Sequence, residues 1–189
     1  CAAHAARENG STVLMLERAP KELMGGNSRF TAGAFRCVYD GVDDLKAIMP
    51  DLTKEEIDRS DFGTYTQDQF FDDMARVTQF RTDPNLCELL VTRSLDTLVW
   101  MRQKGIRFVP IYGRQAFKID GRFKFWGGLT VETVGGGEGL VVAAFDELHL
   151  EPDEGPAIGH TAREGGGEAA HIGIQRKRSM RWVMRLKKS

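Results

Sequence analysis

Cysteine is scarce in this chain, and the spacings that would give it a role are missing. Cys1, Cys37 and Cys87 are far apart, odd in number and never arranged as C-x-x-C. That excludes a disulfide framework and a metal knuckle, and it points to reduced thiols in a cytoplasmic protein. Long hydrophobic runs are absent too: none approaches ~20 residues, so no segment is a candidate membrane span, and no signal-peptide pattern is visible. Charge of one sign is also lacking. Lys and Arg number 26 against 27 Asp and Glu, for a formal charge of −1, which makes no general case for nucleic acid or a membrane surface. No G-x-G-x-x-G turn occurs, and "VGGGEGL" lacks the Lys-Ser/Thr of a Walker loop. Methionine is missing from the first position, where Cys1 stands; the expectation is a chain that starts inside a longer gene product.

What is there suits a soluble globular fold. The 189 residues are 41% hydrophobic, enough for one domain or one and a part. "CAAHAARENG" favours a helix closed by Gly10, and "TVLMLE" follows as a short uninterrupted apolar strand of the kind buried on both faces of a parallel sheet. Together they read as the second half of a β-α-β unit. Residues 43–105 read as mainly helical. Thr53 and Glu56 have capping-box spacing, and Phe70, Phe71, Met74 and Val77 share a helical face. Asp83 and Pro84 start a helix closed by Gly105, with Leu86, Leu89, Leu90, Leu95, Leu98, Val99 and Met101 as its apolar side. "IRFVPIYG" returns to strand character, "QAFKIDGRFKFWGG" reads as a hairpin turning at Asp120-Gly121, and "VGGGEGLVVAAFDEL" as a glycine turn feeding a helix. From His149 to Ser189 periodicity disappears and the last fourteen residues hold seven Lys or Arg and no acid. This tail has one aromatic and no nucleic-acid module; it reads as disordered or frameshifted, which translation of the other two frames would test.

Two stretches carry candidate chemistry. Glu17 ends the apolar strand, where a dinucleotide-binding unit places the carboxylate that accepts from ribose hydroxyls. An exposed strand-end glutamate is the plainer alternative. "GGNSRFTAG" then packs small residues together so that backbone N–H groups can approach a pyrophosphate, although a flexible loop has the same composition. In the hairpin, strand alternation sends Arg122 and Lys124 to one face and Phe123 and Phe125 to the other, with Arg114 and Lys118 nearby. Such cations can grip carboxylates; a solvated hairpin face is the plainer reading, because strand alternation alone produces the pattern.

The run "CAAHAARENGSTVLMLERAPKELMGGNSRFTAGAFR" resembles the FAD-binding flavoproteins of the fumarate reductase and succinate dehydrogenase family. The Gly-Gly-Asn-Ser loop and Thr31-Ala32-Gly33-Ala34 carry the likeness. Through "DFGTYTQDQFFDDMARVTQFRTDP", "GIRFVPIYGRQAFKIDGRFKFWGGLTVE" and "GGGEGLV" the chain is similar to the FAD-dependent tricarballylate dehydrogenases of that family, over residues 1 to about 147. The resemblance implies an α/β fold: a partial Rossmann-like FAD-binding domain (1–42), a mainly helical insertion (43–105), a strand, hairpin and glycine turn (106–148) and an atypical tail (149–189). It implies that Glu17 holds the FAD ribose and that Gly26, Asn27, Ser28, Thr31, Ala32 and Gly33 line the pyrophosphate and flavin approach. Arg122 and Lys124 would meet a tricarboxylate substrate, and electrons would pass from FAD to a separate redox partner. The family's catalytic Arg and its His-Pro-Thr motif have no counterpart here. His4, His149, His160 and His171 match no family position, so no catalytic residue and no metal ligand is assigned. Fumarate reductase-like, succinate dehydrogenase-like and ketosteroid dehydrogenase-like activities remain alternatives, as does an inactive partial domain without cofactor. Lacking the first glycine turn, the chain is expected to retain FAD weakly and to aggregate.

Overall fold

The structure, a computed structural model, describes residues 1–148, 151–153 and 182–185. Helix α1 (Ala2–Glu8) is largely alanine and ends where Gly10 takes the left-handed conformation at φ 78°, as a glycine stop requires. Strand β1 (Leu14–Glu17) and two short 3₁₀ turns, Lys21–Leu23 and Gly26–Phe30, lead to β2 (Ala34–Phe35). Helix α2 (Val42–Ile48) stops just before Pro50, and α3 (Lys54–Arg59) carries the full Thr53/Glu56 capping box. After β3 (Ser60–Asp61), α4 (Gln67–Thr78) is opened by a second box, Thr66 with Gln69. Each box satisfies two N–H groups that a helix start leaves bare.

The helix expected from Pro84 to Gly105 is two. Helix α5 (Pro84–Thr92) starts on the Asp83 carboxylate, which accepts from the Leu86 N–H at 3.0 Å, and α6 (Ser94–Gln103) follows after Arg93. The break has a local cause. Ser94 Oγ donates to the Val91 carbonyl at 2.9 Å and accepts from the Val38 N–H at 3.0 Å, so a side chain takes over bonds that a continuing helix would make. Strand β4 (Phe108–Pro110), the single turn α7 (Tyr112–Gln115) and the hairpin β5 (Ala116–Ile119) and β6 (Arg122–Phe125) come next. Asp120 and Gly121 both have positive φ, 51° and 81°, as the expected two-residue turn demands. Strand β7 (Val131–Thr133), helix α8 (Gly136–Glu147) and the short strands β8 (Glu151–Asp153) and β9 (Trp182–Arg185) complete the order.

Three small sheets result, in the orders β1-β9-β8, β2-β7-β4 and β3-β6-β5. Among the described residues, only β3 with β6 is a parallel pair, and the other pairs are antiparallel. The class is therefore helices with small mixed sheets, an α/β arrangement at that level. Strand β1 departs from expectation: it pairs antiparallel with β9, Glu17 opposite Trp182, and Leu14 is exposed. An apolar run cannot by itself distinguish a central parallel strand from a short antiparallel one. Of the tail from 149 onward, all but β8 and β9 lies outside the described residues, including His149, His160 and His171, and so does the expectation of disorder or a frameshift there.

The chain divides into two compact units, Cys1–Gly26 with the segment from Leu148 onward, and Asn27–Glu147. The second unit holds the main core. Tyr39, Leu45, Ile48, Tyr65, Val91, Leu129 and Val131 are almost fully buried in it. Tyr39 and Tyr65 exchange both backbone hydrogen bonds at 3.0 Å, which joins the start of the helical segment to its middle. Phe70, Phe71 and Met74 face this core as their spacing predicts, whereas Val77 does not. Helix α5 reaches the core through Cys87 and Val91, leaving Leu86, Leu89 and Leu90 exposed.

Candidate functional site

Glu17 closes β1, and its carboxylate turns back onto the loop that follows. Oε1 accepts from the Ala19 N–H at 2.9 Å and Oε2 from the Gly25 N–H at 3.0 Å. These two backbone donors, Ala19 foremost, hold the carboxyl below the usual glutamate range and outweigh its modest desolvation, so it is a carboxylate at neutral pH. Two acceptor oxygens offer about four lone-pair sites, and two are used. Gly26 has φ 56°, and nothing lies within 4 Å of where its Cβ would be; its backbone is open to an approaching group. Glu17 and Gly26 belong to the first compact unit and Asn27, Ser28, Thr31, Ala32 and Gly33 to the second.

Within the second unit the loop 27–33 meets the start of α8. The Gly137 N–H donates to the Thr31 carbonyl at 3.0 Å, and Thr133 N–H to the Gly33 carbonyl at 2.9 Å. Thr31 Oγ1 donates to the Ser28 carbonyl at 2.9 Å and accepts from the Gly33 N–H at 3.1 Å. A Cβ on Gly33 would collide with Thr133 Oγ1 and stand 2.7 Å from the Gly136 carbonyl carbon. One on Gly137 would collide with the Ser28 carbonyl oxygen and lie 2.7 Å from that of Thr31. Ala32 sits at the same contact, with its carbonyl oxygen 3.5 Å from the position a Gly136 Cβ would take. The ion pair between Arg29 and Glu138 ties the same two segments together. At Gly33 the space that a small residue leaves is filled by Thr133 and the Gly136 backbone, and at Gly137 by the Ser28 and Thr31 carbonyls. Asn27 and Ser28 remain exposed on the outer side of the loop.

The sequence reads "VGGGEGL" as a tight turn that brings a helix close to the domain holding loop 27–33; which glycines make that approach, Gly136 and Gly137 against Ser28, Thr31 and Gly33, is visible only in the structure. Gly139 serves the turn itself, since its Cβ would strike the Val134 carbonyl.

The hairpin puts Arg122 and Lys124 on one face and Phe123 and Phe125 on the other, as alternation predicts. Phe125 stacks on Phe62 with centroids 5.5 Å apart, and Phe123 packs on Tyr112 at 5.0 Å. The cations are engaged inside the chain: Arg122 donates to the Ser60 carbonyl at 2.7 Å, and Lys124 Nζ lies 3.2 Å from Asp61 Oδ2. Lys124 chiefly holds the Asp61 carboxyl below its ordinary range. Together they fasten β3 to β6. Lys118 lies over the Phe123 ring at 4.8 Å. His4 is buried in α1 and already has an interaction partner. Among the described residues no cluster of His, Cys, Asp and Glu could hold a metal ion, and no helix is long and apolar enough to cross a membrane.

Comparison with models of protein families, with curated proteins and with solved structures finds no match.

Proposed function

We propose that the chain is a portion of an FAD-dependent oxidoreductase of the fumarate reductase and succinate dehydrogenase kind, with residues 14–33 contributing to the cofactor site of a Rossmann-like domain. The reading rests on the resemblance in "GGNSRFTAGAFR" and is supported above all by Glu17. A strand-end carboxylate, kept ionised by two loop N–H groups, retains acceptor sites suited to ribose hydroxyls. In the first unit, the open backbone at Gly26 fits a neighbouring pyrophosphate. Bound FAD would supply a two-electron acceptor for hydride. Thr31, Ala32 and Gly33 act from behind, shaping the loop by their contacts with α8.

Tricarballylate, oxidised to cis-aconitate, is the substrate this reading favours, with a separate redox partner taking the electrons. Arg122 spends one donor on Ser60 and keeps others for a carboxylate, while Lys124 is largely committed to Asp61. A second reading, a domain without cofactor, is favoured by one observation: Gly33, Gly137 and Gly139 are each accounted for by the chain's own packing. Titration of the purified protein into FAD, followed by flavin fluorescence, separates the two. Saturable but weak binding, reduced at least tenfold in Glu17→Gln, is the expected outcome. No saturation up to millimolar FAD would overturn the flavoprotein reading.

A further inference from the structure

The second unit exposes more large apolar side chains on one helical hairpin than its folding uses. Helix α5 presents Leu86, Leu89 and Leu90 at i, i+3 and i+4, and these are 66%, 58% and 50% exposed. The preceding helix and its loop add Val77 at 71% and Phe80 at 85%. Phe80 also sits at φ 59°, a left-handed conformation that a bulky L-residue adopts only at a cost. The core does not need these groups, because α5 is anchored through Cys87 and Val91 and α4 through Phe70, Phe71 and Met74. Together these five side chains present on the order of 500 Å² of apolar surface, about as much as the largest apolar patch of an ordinary monomer, which is often functional.

We infer that this face is the interface of a symmetric dimer, with α5 of one copy packed antiparallel on α5 of the other. Self-complementarity is the reason for choosing a second copy. A twofold interface must present to itself groups that attract in reverse order. The leucine stripe is flanked at its start by Asp83 and at its end by Arg93. Ten residues separate them, about 15 Å along a helix, and the midpoint falls at the height of Glu88, between Leu86 and Leu89, with Glu88 itself on another side of the helix. A twofold axis there lays leucine on leucine and brings each Arg93 to the Asp83 of the other copy. It also sets the two helix dipoles antiparallel. Arg93 meets Asp96 at 3.5 Å in its own chain, but both side chains are largely exposed; such a contact is weak and leaves guanidinium donors unused. The area falls short of the ~800 Å² per partner of a standard interface, so the dimer is a weak, concentration-dependent one.

Sedimentation velocity across micromolar to millimolar protein tests this. The expected result is a shift from monomer to dimer with no larger species. Leu89→Lys should remove the shift altogether, and Arg93→Glu, which sets acid against Asp83, should weaken dimerisation at least tenfold. Because Leu89 is outside the core, its variant should keep the circular dichroism and melting temperature of the parent, so that loss of dimer is not loss of fold. A monomer at every concentration would overturn the proposal and leave the face to a different partner. A dimer that survives Leu89→Lys, or association that grows without limit, would overturn it as well.

Discussion

Gly26 and Gly33 share a loop and a positive φ, 56° and 65°, yet they do different things. Above Gly26 there is open space, whereas above Gly33 stand Thr133 and the Gly136 backbone. Alanine at position 26 should therefore cost only the left-handed conformation, about 1 kcal/mol. At position 33 the same methyl group must also push back a β-strand side chain and a helix start, for about 3 kcal/mol in total. Urea denaturation of the two single variants, without flavin, measures the difference. Equal losses would mean that the contact with α8 does not determine the identity of Gly33, and a ligand would again be the better reason for that glycine.

Elements whose signals are local were legible in the sequence. Thr53 with Glu56, Asp83 with Pro84, and Asp120-Gly121 each specify a helix start or a turn within four residues, and each is found as read. Signals that depend on what lies opposite were not. Periodicity identified the apolar side of residues 84–105 but not the rotation of about a third of a turn that buries Cys87 and Val91 in place of three leucines. It also missed the break at Arg93, because a serine that binds Val91 and Val38 looks like any other helix residue until Val38 is brought beside it. Of the candidate site, the strand-end position of Glu17 and the alternation at Arg122 and Lys124 were readable. That the Ala19 and Gly25 amides would claim Glu17, and that Ser60 and Asp61 would claim the hairpin cations, was not: the Ala19 contact depends on how the chain turns after β1, and the other partners lie 8 or more residues away. Ser94→Ala tests the break. Removing the hydroxyl leaves the part-buried Val38 N–H without its acceptor, a loss of about 1–2 kcal/mol, whereas helix propensity alone would make alanine stabilising. A gain in melting temperature would show that the break owes nothing to this serine.

For the molecule as a whole, stability at alkaline pH depends on Cys37, Tyr39 and Tyr65, buried groups of the second unit that must stay neutral. Burial, reinforced by Asp44, pushes the Cys37 thiol up to about 12; burial and the hydrogen bond donated to Asp73 at 2.7 Å carry Tyr65 to about 12; and burial also raises Tyr39. Once unfolded, such groups lose their protons near pH 9 for a thiol and 10 for a phenol. Between those values and about 12 the folded chain holds protons that the unfolded chain has shed, so stability is intact below pH 9 and falls as pH rises. The Tyr39 hydroxyl adds a structural clasp. It donates to the Phe62 carbonyl at 2.5 Å and accepts from the Leu129 N–H at 2.7 Å, joining three distant stretches of the second unit. Tyr39→Phe should cost about 2–3 kcal/mol at pH 7, because both buried backbone groups lose their partner. It should also flatten the alkaline decline, since one fewer proton is then linked to unfolding. Urea midpoints measured from pH 7 to 11 for the parent and this variant read both effects. A parent midpoint that stays level from pH 8.5 to 11 would show that these groups are not held neutral by the core, and the clasp would then have to be argued from the hydrogen bonds alone.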